Sequence, residues 1–305
     1  MKTVEDNQQL KHKGMIDIIT QLPRIGAHLP IGKGLMATAD DAVSKELEAI
    51  QIFIRNPRGR GARKLTDQEV DYFNQTMADN DISPVVVHIP YVCNPAAARD
   101  DLYNYAYEVI TGDIERARLI KADYIVLHPG SFTDTSLDEG IDRVSALMNR
   151  ILDGYEGPTL LLETMSGQGT EIGKNFQELN QILQNITNKN NIGICFDTCH
   201  TFAAGYNCAD PEGVEKICQE AEAIIGREKI RLIHANDSLK ELGEHRDRHT
   251  HIGEGFIGIT GFENLMAHDF FRQIPFILET PMEGIEKDIK LLKAARNKLA
   301  KLGRV

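Results

Sequence analysis

The sequence predicts a (β/α)8 TIM barrel, in which eight parallel strands alternate with helices. Three observations support this class: eight short apolar runs rich in β-branched residues, helical patterns between them, and a length of 305 residues that suits one barrel. The runs are too apolar for half-exposed strands, which favours a parallel sheet buried on both faces. An open doubly wound sheet is the alternative, but no phosphate-binding glycine motif follows the first strand. We expect a barrel domain over residues 24–305, preceded by a polar N-terminal extension over 1–23.

The eight predicted strands are separated by the few tens of residues that a helix and two loops require. In chain order they are RIGAHLPI (24–31), AIQIFIRN (49–56), SPVVVHIP (83–90), DYIVLHPG (123–130), TLLLETMSG (159–167), NIGICFDTCH (191–200), IRLIHAND (230–237) and PFILETP (275–281). Two helix starts carry the Ser/Thr-x-x-Glu pattern of a capping box, namely Thr66 with Glu69 and Thr260 with Glu263.

Composition sets the class of protein. Hydrophobic residues make up 42% and charged residues 26%, which are ordinary values for a soluble globular enzyme. Five scattered cysteines argue against a disulfide framework and for a reducing compartment. Neither a long apolar run nor a secretion signal is evident, so we expect a cytoplasmic protein without a membrane segment. The net charge of −11, taken alone, argues against wrapping a polyanion, although bound metal and a local basic face could offset it.

Imidazoles and carboxylates stand at the ends of six predicted strands. In a TIM barrel the chemistry lies at the C-terminal ends of the strands, so these side chains should share one mouth. One such histidine alone is more often structural, but six strands delivering such groups together indicate a site. The residues are His88, His128, Glu163, Asp197 with His200, His234 and Glu279.

A loop after the seventh strand, DRHTHIGEG (247–255), adds Asp247 and His249. The total of nine imidazole and carboxylate groups suits a cluster of zinc-like ions, because one zinc ion takes three or four protein ligands. Nine groups therefore serve about three ions if one carboxylate bridges. Manganese and iron also accept such ligands.

Other histidines and one cysteine near these motifs have less defined roles. Cys199 is a possible thiolate ligand, but its side chain should point away from that of Asp197, so we expect no metal contact. His28 could support a ligand, but we expect it to be structural, and His251 could orient a ligand. The remaining histidines, His12, His245 and His268, are expected in a tail, a loop and a helix surface.

These motifs resemble endonuclease IV, the family of zinc-dependent apurinic/apyrimidinic endonucleases of base-excision repair. The resemblance rests on VVVHIPY (85–91), IVLHPGS (125–131), LLETMSGQG (161–169), FDTCHTFAAGY (196–206), HAND (234–237), DRHTHIGEG (247–255) and ILETP (277–281). The motifs span nearly the whole predicted barrel in the family's order.

The resemblance implies three zinc ions and a catalytic role for Glu163 and Glu279. One ion would be held by His88, His128 and Glu163, a second by Glu163, Asp197, His234 and Glu279, and a third by His200, Asp247 and His249. The implied activity is hydrolysis of the phosphodiester bond 5' to abasic sites in duplex DNA, leaving 3'-hydroxyl and 5'-deoxyribose phosphate ends, with a 3'-phosphodiesterase activity. The implied state is a monomer that flips the abasic nucleotide into a pocket.

The resemblance also implies DNA contacts by Arg58, Tyr91 and Val92, at positions where the family inserts side chains into the minor groove. Here the chain departs from the family, since Pro57 and Gly59 flank the arginine. The densest basic stretch of the sequence surrounds it, formed by Arg55, Arg58, Arg60, Arg63 and Lys64. We expect this stretch to contact phosphates, and a merely solvated loop is the alternative.

Two other function classes compete with this interpretation. A sugar isomerase or epimerase also uses metals at the strand ends of a TIM barrel, but its site is typically acid-rich rather than histidine-rich. A module that binds damaged DNA without cutting it predicts missing ligands, and all nine are present.

Overall fold

The closed parallel barrel predicted from the sequence is present in the computed structural model, which describes residues 22–57 and 61–303. Numbering strands and helices in chain order, the barrel strands are β1 (Ile25–Leu29), β2 (Ala49–Ile52), β3 (Val85–His88), β4 (Tyr124–Leu127), β5 (Thr159–Glu163), β6 (Ile192–Asp197), β7 (Ile230–His234) and β10 (Phe276–Leu278). They follow one another around the barrel in that order, and β10 pairs with β1 to close it. The predicted TIM barrel is confirmed.

Helices connect the strands on the outside. In the described residues they are α1 (Leu35–Ser44), α2 (Asp67–Asp79), α3 (Asp100–Leu119), α4 (Leu137–Leu152), α5 (Phe176–Asn185), α6 (Thr198–Ala203), α7 (Pro211–Ile224), α8 (Gly258–Ala267) and α9 (Ile285–Lys301), with a 3-10 helix over Arg227–Lys229. Among these helices, none combines the length and apolarity needed to cross a bilayer.

The apolar core has two parts. A large layer between strands and helices includes Phe73, Phe176 and Phe262, all fully buried. A smaller cluster fills the barrel itself, with one side chain from each of seven strands: Ala49, Val86, Val126, Leu161, Cys195, Leu232 and Ile277. This inner cluster forms a closed floor beneath the mouth where the predicted ligands lie.

Two strands outside the barrel shape that mouth. β8 (Asp237–Ser238) and β9 (His249–Thr250) pair antiparallel, with Ser238 opposite His249. The ribbon folds the loop after β7 back over the C-terminal end of the barrel, where His249 faces the cavity.

The helix starts were predicted with mixed success. Thr66 caps α2 through a complete capping box with Glu69, as predicted. The prediction at Thr260 is wrong, because α8 begins at Gly258 and Thr260 lies inside its first turn. Asp237 accepts hydrogen bonds from the backbone N–H groups of Ile257 and Gly258, so the helix start is fixed ahead of Thr260.

Most of the proposed N-terminal extension, residues 1–21, lies outside the described residues, and so do Arg58 and Arg60 of the basic stretch. All five cysteines are described, and each is a buried free thiol, as expected without a disulfide framework.

Candidate metal centre

Six predicted ligands follow the apolar floor of the barrel at a constant offset. Side chains alternate across a strand, so the residue two positions after a floor residue points to the same face. These positions carry His88, His128, Glu163, Asp197, His234 and Glu279, two residues after Val86, Val126, Leu161, Cys195, Leu232 and Ile277. The alternation of the strands therefore places six donors in the layer above the floor.

Glu163 lies at the centre of this layer, with its side chain 1% exposed. One carboxylate oxygen, Oε2, is 3.1 Å from His88 Nε2 and 3.3 Å from His128 Nε2. The other, Oε1, is 3.0 Å from His234 Nδ1 and 3.4 Å from His200 Nδ1. A carboxylate with a different set of imidazoles on each oxygen has the arrangement required to bridge two cations.

A second group of donors surrounds His234. Its Nδ1 atom is 3.2 Å from Glu279 Oε2 and 3.8 Å from Asp197 Oδ2, in addition to its contact with Glu163. One donor atom from each of these four residues lies within 4.8 Å of the other three.

The third group combines a helix with the loop after β7. Asp197, the last residue of β6, caps α6 by accepting a hydrogen bond from the backbone N–H of His200 at 2.7 Å. Because α6 begins at Thr198, the predicted strand over 191–200 ends three residues early. His200 Nε2 faces Asp247 Oδ2 at 3.3 Å, and Asp247 Oδ1 is 3.1 Å from His249 Nε2.

A buried carboxylate holds the glycine-rich part of that loop. Asp237 is fully buried and accepts hydrogen bonds from five backbone N–H groups, those of Ser238, Gly253, Gly255, Ile257 and Gly258. A side chain at position 255 would not fit, because a Cβ atom there would lie 2.4 Å from the Ser238 carbonyl oxygen. The GEG sequence thus serves close backbone packing rather than ligation.

Hydrogen bonds leave particular imidazole nitrogens available to a cation. His88 Nδ1 donates to the Ile89 carbonyl at 2.7 Å, and His200 Nδ1 donates to the Thr164 carbonyl at 2.9 Å. A carbonyl oxygen only accepts, so the proton of a neutral ring lies on Nδ1 and the Nε2 lone pair is free. His200 Nε2 and His249 Nε2 are buried without a hydrogen-bond partner. Orphaned buried nitrogens facing carboxylates fit a metal ion.

Burial and mutual charge shift the pKa values of these groups in opposite directions. Burial alone would raise the pKa of Glu163, but the charges of His234 and His128 hold that pKa well below its usual range. Burial raises the pKa of Asp197. Burial opposes protonation of His249, but the nearby carboxylates of Asp247 and Asp197 raise the pKa of His249 to about 8. Opposed shifts within one cavity are typical of functional sites.

The less defined candidates divide into two groups. Cys199 Sγ lies within 4.8 Å of donor atoms of Asp197 and His249, so the prediction that it points away is wrong, although burial raises the pKa of its thiol to about 12. His28 is not merely structural, since it lines the cavity with its Nδ1 3.2 Å from Glu279 Oε1. His251 instead binds Asp288 at 2.8 Å and joins the loop to α9.

His245 and His268 lie outside the donor layer. His245 Nδ1 donates to the Ser166 carbonyl at 2.9 Å, and His268 pairs with Glu215 at 3.1 Å. His12 falls outside the described residues.

Sequence reasoning missed Gln51. This fully buried amide contacts His234, Glu279 and His28. The available signal was a polar residue in the apolar run AIQIFI, at the inward-facing position two residues after Ala49.

The donor layer opens into a cavity of about 590 Å³. Tyr91, which is 53% exposed, lines the cavity, and the next residue in the chain, Val92, is 49% exposed. Two members of the basic stretch pair with acids: Arg55 is buried against Asp113 at 2.7 Å, and Arg63 bonds Glu69 while its side chain stays half exposed. The prediction that Arg55 contacts phosphates is therefore wrong.

The fold and the donor layer define a class, the xylose isomerase-like TIM barrels, and the family model of that description matches residues 39–301. The chain is 39% identical over 275 residues to probable endonuclease 4 of Halothermothrix orenii, covering 90% of this chain and 99% of the relative. It is 38% identical over 273 residues to probable endonuclease 4 of Clostridium beijerinckii, covering 89% and 98%.

Among solved structures, endonuclease IV from Thermus thermophilus matches with a TM-score of 0.80 and 30% identity, over 90% of this chain and 100% of that one. A D-tagatose 3-epimerase-like protein matches at 0.65 with 23% identity, over 90% and 99%, which reflects the shared fold alone. The chain belongs to the endonuclease 4 family, a group of metal-dependent DNA-repair endonucleases.

Proposed function

We propose that this protein hydrolyses the phosphodiester bond 5' to abasic sites in duplex DNA, using three zinc ions, and leaves 3'-hydroxyl and 5'-deoxyribose phosphate ends. The main support is that nine imidazole and carboxylate side chains form three donor groups around one open cavity. Within each group, the donor atoms lie within 4.8 Å of one another. The similarity to endonuclease 4 proteins supports phosphodiester hydrolysis as the reaction at this site. The same site would also remove blocked 3' ends, since that reaction breaks the same kind of bond.

The three donor groups divide the ions among them. His88, His128 and Glu163 would hold one, Glu163, Asp197, His234 and Glu279 a second, and His200, Asp247 and His249 a third. Bound there, the ions would supply Lewis-acid stabilisation of the phosphoryl oxygens and lower the pKa of the attacking water.

The protein's own contribution is charge and position. Glu163 would join two sites through its separate oxygens, which fixes their spacing. Glu279 stands at the wall of the cavity, where its carboxylate is held by Gln51 and its backbone N–H by the side chain of Asn236. Three divalent ions would outweigh the four carboxylates that hold them, so an acidic chain would present a positive centre to the phosphate backbone.

Substrate selection would depend on the shape of the DNA. An abasic nucleotide leaves the helix at a lower unstacking cost, and a restricted cavity then excludes nucleotides that keep a base. Tyr91 at the cavity and its chain neighbour Val92 are both exposed and are suited to enter the gap in the base stack. Arg58 stays a proposed minor-groove contact outside the described residues. We propose that one chain acts alone on duplex DNA.

The test is incision of an end-labelled duplex that contains one tetrahydrofuran abasic analogue, with and without prior treatment with phenanthroline. The analogue cannot undergo β-elimination, so a cut must be hydrolytic. We expect a single cut 5' to the analogue, extendable by a polymerase from its 3'-hydroxyl, and loss of cutting after chelation. An intact duplex with metal-loaded protein would contradict the proposal.

The alternative function is that of a sugar isomerase or epimerase, because the barrel matches epimerases in fold. A panel of ketoses and aldoses with the same metal-loaded protein separates the two. Sugar turnover without incision would support the alternative.

A further inference from the structure

Two barrel strands reach the donor layer without supplying a predicted ligand. β1 supplies His28 and β2 supplies Gln51, which are neighbours in the register of the two strands. Gln51 is fully buried, although an amide in an apolar barrel is costly unless its hydrogen-bonding groups are satisfied. Its contacts explain why it is there.

The chemistry of the neighbours fixes which way the Gln51 amide faces. Gln51 Nε2 is 2.6 Å from Glu279 Oε1, and an ionised carboxylate only accepts, so the amide NH2 must face it. The same nitrogen is 3.0 Å from His28 Nδ1. The amide oxygen then faces His234 Nε2 at 2.9 Å and must accept a proton from it.

These two hydrogen bonds act on two ligands of one site. With Nε2–H of His234 bound to Gln51, the ring presents Nδ1 to Glu163 and Glu279, at 3.0 and 3.2 Å. With Oε1 of Glu279 held by Gln51, the other oxygen, Oε2, faces the same nitrogen. A single side chain thus orients an imidazole from β7 and a carboxylate that directly follows β10.

We propose that Gln51 is a positioning residue of the metal centre, which selects Nδ1 of His234 and Oε2 of Glu279 as the atoms offered to the ion shared with Glu163 and Asp197. This inference rests on the proposed zinc centre and specifies how one of its three sites is built. Partners that orient metal ligands typically change metal affinity or activity by about 10- to 100-fold when removed.

The first experiment measures zinc affinity of the full chain by competition with a chromophoric chelator, after removal of metal by dialysis. Gln51→Met keeps the length of the side chain and removes both hydrogen bonds. We expect wild type to bind three ions, and Gln51→Met to bind one of them about 10- to 100-fold more weakly while the other two change little.

Ser145→Ala is the matched control. Ser145 is also buried and polar, but its hydroxyl donates only to the Ile141 carbonyl within α4. The Ser145→Ala protein should bind all three ions with the affinities of wild type. Equal affinity of folded Gln51→Met and wild type for every ion would overturn the inference, whereas wild type without three ions would instead count against the proposed zinc centre.

A second measurement does not depend on the stability of Gln51→Met. Nitrogen-15 NMR of zinc-loaded wild type should show His234 bound through Nδ1, with an Nε2 proton protected from exchange with water. Metal bound through Nε2 of His234 in wild type would overturn the inference, whichever variants fold.

Discussion

Glu279 illustrates how neighbours decide the charge of one residue. Burial alone would raise its pKa, but the charge of His234 and a hydrogen bond with His28 hold the pKa below its usual range. The carboxylate therefore keeps its negative charge although most of its side chain is buried. Its proposed role in catalysis depends on that charge.

Glu279→Gln should lower the rate of incision by at least about 100-fold, because a neutral amide removes charge from the site that would activate water. The change preserves side-chain size, so the melting temperature should stay close to that of wild type. Glu283→Gln makes the same charge change on an exposed residue of the same loop and should leave incision unaltered. Near-normal turnover of Glu279→Gln would refute a catalytic role for the carboxylate.

Tyr91→Ala should weaken binding to a duplex with an abasic analogue by about 10-fold, since stacking on an aromatic ring contributes about 1–3 kcal/mol per base. Binding to intact duplex should change less. Fluorescence anisotropy at fixed salt measures both. Leu119→Ala is the control, because Leu119 is equally exposed but ends a helix on the outside of the barrel; a matching loss there would rule out a specific contact by Tyr91.

Among single residues, the sequence predicts those whose side chains are typical metal ligands. His88 and Glu163 stand out because imidazole and carboxylate at strand ends are typical ligands. Gln51 does not, because an amide is rarely a ligand and its meaning depends on which face of β2 it occupies. Cys199 was misjudged because the helix that begins at Thr198 replaces the alternation of a strand.

Among the elements, the loop from Asp237 to Gly258 most clearly links folding to the site. The Asp237 carboxylate gathers backbone N–H groups from both sides of Gly255, and this fold supports the ribbon that carries His249. His251 and the backbone of Ile252 attach the loop to Asp288 of α9.

Gly255→Ala should weaken zinc binding at the site that contains Asp247 and His249, because the added Cβ meets the Ser238 carbonyl and forces the loop to move. We expect one of three ions to be lost first during dialysis, and a fall in incision. Metal analysis by mass spectrometry measures this. Gly32→Ala, where a Cβ atom meets nothing within 4 Å, should retain all ions; full retention by Gly255→Ala would show that the loop tolerates the change.

The elements themselves were predictable where their signals are local. The capping box at Thr66 depends on residues three positions apart, and it formed as predicted. The start of α8 depends on Asp237, about twenty residues away, so the Thr260 pattern was misleading. Another capping box, Ser136 with Glu139, starts α4 and was not recognised.

For the molecule as a whole, closure of the barrel joins the first and last parts of the described chain. Glu48 accepts hydrogen bonds from the Ile25 backbone at 2.9 Å and from Arg296 of α9, whose Nη2 atom is 2.9 Å away. Burial opposes ionisation of Glu48, but the hydrogen bonds and charge of Arg296 lower its pKa below 4.5.

Glu48→Gln should reduce the free energy of unfolding by about 1–2 kcal/mol at pH 7, the range for a hydrogen bond to a charged group that is partly exposed. A lowered folded-state pKa contributes stability above the unfolded pKa, and this contribution is lost as pH falls through the folded value. Urea denaturation should therefore show a difference from wild type that is full at pH 7 and shrinks below about pH 4. Glu46→Gln, on an exposed neighbour, should show little difference at either pH, and a pH-independent difference for Glu48→Gln would contradict the linkage.

The central claim is that three donor groups at the barrel mouth each hold one zinc ion. The most direct measurement is anomalous X-ray scattering at the zinc edge from crystals of the zinc-loaded protein. We predict three separate peaks, with Glu163 in contact with two of them and Asp247 and His249 in contact with the third. One or two peaks at full zinc loading, or a peak held by Cys199 in place of His200, would contradict the account.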